Sequence, residues 1–83
     1  MAREALIRAK ILEILNEAPD MKFTETMIAD LLLNLGYAVE DEELGQAIDY
    51  ILSKGWVEFT KHPVRGFFQY FITADGVTAA EAD

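Results

Sequence analysis

Residues 24–55, TETMIADLLLNLGYAVEDEELGQAIDYILSKG, read as two helices joined by a tight turn. Thr24 suits a helix N-cap, and Phe23 before it pairs with Ile28 as a hydrophobic staple. Met27, Ile28, Leu31, Leu32 and Leu35 make one apolar helical face. Gly36 falls where a left-handed residue ends a helix, and Tyr37 is placed to fold back on Leu32. Only Tyr37-Ala38-Val39 separates that glycine from the next pattern, in which Leu44, Ala47, Ile48, Ile51 and Leu52 share one face and Gly55 is the stop. The spacing predicts helices over about 24–35 and 41–54.

Upstream, Ile7, Ile11, Ile14, Leu15 and Ala18 mark one face of a helix over about 2–17, closed by Pro19-Asp20. Downstream, 56–61 and 67–73 are rich in aromatic and β-branched residues and flank His62-Pro63-Val64-Arg65-Gly66, a turn. That is a β-hairpin followed by a short C-terminal tail. The expected fold is α+β, one domain over 1–83: a helix, a helix-turn-helix unit, then two strands.

The chain has 83 residues, no cysteine, 52% hydrophobic content and a net charge of −8. So small a domain is marginally stable, and here neither a disulfide nor a cysteine zinc site supports it. No apolar run reaches a membrane span, and Met1-Ala2-Arg3-Glu4 opens no signal peptide, so no membrane partner and a cytoplasmic location are expected. The acidity argues against generic affinity for nucleic acid or anionic membranes.

Specific residues carry a family resemblance. Ile51-Leu52-Ser53-Lys54-Gly55-Trp56-Val57 resembles the junction between third helix and wing in MarR-, PadR- and ArsR-type regulators. Phe71-Ile72-Thr73-Ala74-Asp75-Gly76 resembles the "hydrophobic-T-x-x-G" sequence that closes the wing in those families. The layout is also similar to small winged-helix proteins of Mu-like prophages. The resemblance implies a winged helix-turn-helix fold and a role in transcription regulation through DNA binding. It departs from those regulators in lacking a long dimerising helix after the wing.

Catalysis has little to build on. Ser53 is the only serine and His62 the only histidine, one at a helix end and the other in a turn, so no catalytic residues, cofactor or metal are expected. Glu40-Asp41-Glu42-Glu43 lacks the alternating ligands of a calcium loop and reads as an acidic first helical turn favoured by the macrodipole.

Charge is unevenly placed. Arg3, Arg8 and Lys10 against Glu4 leave residues 1–10 at +2, whereas eleven acids against Lys22 and Lys54 leave 11–58 at −9. A third helix that begins with four acids is a poor occupant of a major groove: carboxylates near phosphates oppose insertion by about 4 kcal/mol in total. Its neutral polar DNA-contact candidates are Gln46, Tyr50 and Ser53; the basic ones, Lys61, His62 and Arg65, lie in the turn. The expected function is therefore weak DNA binding through a basic wing, by a dimer. The alternative is a protein-interaction module with no direct DNA binding, in which Glu42, Glu43 and Asp49 meet a basic protein partner. Two apolar surpluses point to a homodimer or docked protein: Ala5, Ala9 and Leu12 on the back of the first helix, and Phe67 and Phe71 on a second hairpin face.

Overall fold

Local signals in the chain set the ends of its elements. In a computed structural model describing residues 2–82, these are α1 (Arg3–Glu17), α2 (Glu25–Asn34), α3 (Asp41–Ser53), β1 (Val57–Lys61), β2 (Phe68–Ile72) and α4 (Ala74–Glu81). Thr24 caps α2, its Oγ1 accepting the Met27 N–H at 3.2 Å. Gly36, at φ +95°, closes α2 with a Schellman pair: Tyr37 N–H donates to Leu32 O at 2.9 Å and Gly36 N–H to Leu33 O at 2.9 Å. The same device ends α3, with Trp56 N–H on Ile51 O and Gly55 N–H on Leu52 O.

β1 and β2 form an antiparallel hairpin with Val57 opposite Ile72, Phe59 opposite Tyr70 and Lys61 opposite Phe68. Phe23 adds a one-residue bridge to β2, exchanging backbone hydrogen bonds with Tyr70 at 2.8 and 2.7 Å. Ile7, Ile11 and Leu15 of α1, Ile28 and Leu32 of α2, and Ile48 and Ile51 of α3 are fully buried with Val57. Three helices followed by a hairpin are thus present in the expected order, with ends within one residue of those the spacing predicts.

Residues 74–81 differ from expectation: they are a helix, not a tail. Thr73 Oγ1 caps α4 by accepting the Gly76 N–H at 3.0 Å and donates its own proton to Gly55 O at 2.7 Å. The Thr73 N–H reaches Trp56 O at 2.9 Å. Gly76 is buried, and a Cβ there would collide with the Trp56 carbonyl and lie 2.6 Å from Ile72 Cγ1. The two motifs behind the family resemblance therefore meet in space. They form the joint between the end of α3 and the start of α4.

That fourth helix corrects the expected back face of α1. Ala79 and Ala80 of α4 pack on the core, Leu12 is 5% exposed, and Ala5 is half-buried. Asn16 donates to Glu81 Oε2 at 3.3 Å. Of Ala5, Ala9 and Leu12, only Ala9 is exposed. The stripe is covered because α4 returns along α1.

The hairpin also distributes its aromatic side chains differently. Phe71 is half-buried, whereas Phe59 and Phe68 are exposed and meet edge to face at 5.5 Å. Phe59 and Phe68 lie on the face that also carries Val57 and Ile72. The hairpin's open apolar surface is therefore at Phe59 and Phe68 on the core-side face. Phe67, also exposed, leans on the His62 ring instead.

Candidate nucleic-acid interface

The turn between the strands is built around His62. Its backbone N–H donates to Phe67 O at 2.8 Å, and its carbonyl accepts the Gly66 N–H at 3.0 Å. The ring Nδ1 accepts from the N–H groups of Val64 and Arg65 at 3.3 and 3.1 Å, and the ring lies 4.8 Å from that of Phe67. His62 is therefore half-buried, and its Nδ1 is engaged in shaping the turn. The backbone of the turn occupies that nitrogen, which leaves Nε2 for the contact expected of His62. Lys61 and Arg65 remain exposed on either side of it.

On α3, Glu42, Gln46, Asp49 and Ser53 recur at helical spacing and all four are exposed, making the outward face. Gln46 donates weakly to Glu42 Oε1 at 3.4 Å, and Ser53 Oγ donates to Tyr50 O at 2.6 Å. Tyr50 lies beside this face, with the Arg8 guanidinium 3.9 Å from its ring centre and Lys54 Nζ at 5.4 Å. Two cations against one ring make an attractive cation–π contact and commit Tyr50 to the α1 side. The outward face thus carries two carboxylates, a glutamine and a serine whose proton is used by its own helix.

Glu43 points elsewhere. Arg3 holds it with two bonds, Nε to Oε2 at 2.6 Å and Nη2 to Oε1 at 3.2 Å, and Nη2 also donates to Ala38 O at 2.6 Å. These hydrogen bonds keep the Glu43 carboxyl below its ordinary range and the Arg3 guanidinium above its own. Glu43 is therefore a tie between α1 and α3, not the open partner contact its sequence position suggests. The acidic run divides, with Glu43 on Arg3 and Glu42 on Gln46.

A further carboxylate, Glu25 of α2, meets the sheet. Tyr70 Oη donates to Glu25 Oε1 at 3.1 Å. Burial pushes the Tyr70 hydroxyl up to about 12, and the nearby charges of Glu25 and Asp49 add to the effect. The first turn of α2, where backbone N–H groups make a natural phosphate seat, carries Glu25.

A groove between α1 and α2 has no counterpart among the site residues expected from the sequence. Leu31 and Leu35, expected in the core with Ile28 and Leu32, are exposed along it. The consecutive leucines 31–33 were the available signal, since one helix stripe cannot bury all three. Among the described residues no helix is long and apolar enough to cross a membrane. No family model, curated protein or solved structure matches the chain.

Proposed function

We propose that this chain is a small non-enzymatic winged-helix regulatory or accessory protein that holds DNA weakly through the hairpin tip, as a dimer. The observation that carries this reading is the separation of charge: Lys61 and Arg65 are exposed on the projecting turn, while the outward face of α3 presents Glu42 and Asp49. A hairpin tip with two cations can rest on a phosphate backbone or minor groove, and such contact fixes position without reading sequence. Two neutralised phosphates give a salt slope of about −1.8 and four give about −3.6, so a pair of tips makes useful contact where one is feeble.

Fluorescence anisotropy on a mixed-sequence duplex at low salt tests this. The expected result is binding at about 10 μM, inside the ~10⁻⁴–10⁻⁶ M range of non-specific affinity, with low salt favouring it. Lys61→Glu with Arg65→Glu should abolish it, and the slope against salt counts the copies bound. Binding that survives the double substitution would overturn the reading.

A second reading has its own observation. Glu42 and Asp49 stand exposed on one α3 face without a cation paired to either among the described residues. A basic protein surface suits that face, in which case α3 serves protein recognition and DNA is not bound.

A further inference from the structure

Between α1 and α2 runs an open groove of about 730 Å³. Ile14 and Phe23, both buried, are among its lining residues. Met21, Leu31 and Leu35 line it while remaining 45%, 36% and 56% exposed, so three large apolar side chains stand in water along one channel. Methionine adapts to irregular apolar partners, which suits such a surface to a side chain brought from outside. The rim carries Glu13, Glu17 and Asp30 against Lys10, whose ammonium is already held by Glu13 at 2.9 Å.

We infer that this groove is a docking site for an amphipathic helix of another protein, with an apolar stripe flanked by Lys or Arg. Two helices forming the walls of an apolar channel match the helix-in-groove mode of recognition. Charge selects the occupant: a basic helix meets the Glu17 and Asp30 carboxylates with opposite sign. A second copy presenting the same face would set like charges opposite one another in a chain of net charge −8. The hairpin tip and the outward face of α3 play no part in this inference, so it stands apart from the DNA reading.

The test titrates the full chain by calorimetry with a synthetic helix of about 14 residues, four turns long. It carries a leucine stripe with lysines on both flanks, and a scramble of the same composition breaks the stripe. The striped peptide is expected to bind at least about tenfold more tightly than the scramble. Leu31→Asp with Leu35→Asp should weaken binding about tenfold or more, as should Glu17→Lys with Asp30→Lys, which leaves the floor intact if the first pair misfolds. Glu42→Lys with Asp49→Lys makes the same charge change on α3 and should alter affinity less than about twofold. Equal binding of the scramble, an equal loss in the α3 variant, or no binding up to about 1 mM would each overturn the inference. Sedimentation showing a dimer that Leu31→Asp with Leu35→Asp dissociates would also overturn it, giving the groove to a second copy.

Discussion

Gly76 and Gly45 are both helical glycines, yet their surroundings call for opposite substitution effects. A Cβ at Gly45 meets nothing within 4 Å, so Gly45→Ala should stabilise α3 by about 0.5–1 kcal/mol. A Cβ at Gly76 meets the Trp56 backbone, which cannot yield without opening the α3–hairpin joint. Gly76→Ala should cost about 2–3 kcal/mol and lower Tm by roughly 10 °C or more. Thermal melts of the two variants should move in opposite directions. Tyr70 couples folding to pH. Its folded pKa of about 12 lies above the ordinary value near 10. The folded state holds the proton more tightly, so the associated stability is intact below about pH 10 and is lost between about pH 10 and 12. Tyr70→Phe should flatten that alkaline loss in denaturant titrations and cost about 1 kcal/mol at neutral pH for the missing bond to Glu25.

At the scale of elements, α4 changes the meaning of α1. Ala5, Ala9 and Leu12 share a stripe whose spacing suits a second helix, and that second helix is the chain's own α4 over most of the stripe. Leu12→Asp should therefore cost more than about 3 kcal/mol by placing a charge in the core, while Ala9→Asp should stay within about 0.5 kcal/mol. Chemical denaturation distinguishes these outcomes; equal, small effects would mean that α4 does not cover Leu12. The elements themselves were legible beforehand because their ends are local: Thr24, Gly36 and Gly55 act within a few residues of their own positions. α4 was not, because Gly76 weakens a helical reading and its apolar residues are mostly alanines.

For the whole molecule, the decisive property is where charge and apolar surface lie relative to each other. The chain carries −8 overall, yet Lys61 and Arg65 stand exposed at the hairpin turn while carboxylates line α3 and the groove between α1 and α2. Under the proposed DNA reading only the cationic tip meets phosphate while the acidic body is repelled, so few phosphates are neutralised and the expected salt slope is shallow. The same distribution gives the groove a preference for basic partners. The candidate site was partly legible: Lys61, Arg65, Gln46 and Asp49 are exposed as their positions implied, but His62, Glu43 and Leu12 are each engaged by a distant or folded-back part of the chain.

Caps, stops and hydrophobic periods are properties of neighbouring residues, so the order and ends of α1, α2, α3 and the hairpin follow from reading along the chain. Which side of each element is covered is a different kind of fact. Leu12 is buried in a core on which Ala79 and Ala80 of the distant α4 pack, and Phe23 completes the sheet through Tyr70. Leu31 and Leu35 stay open because, among the described residues, none packs over them. An amphipathic pattern specifies that a face seeks cover; the packing of distant segments settles which faces find it and which are left for something else to occupy.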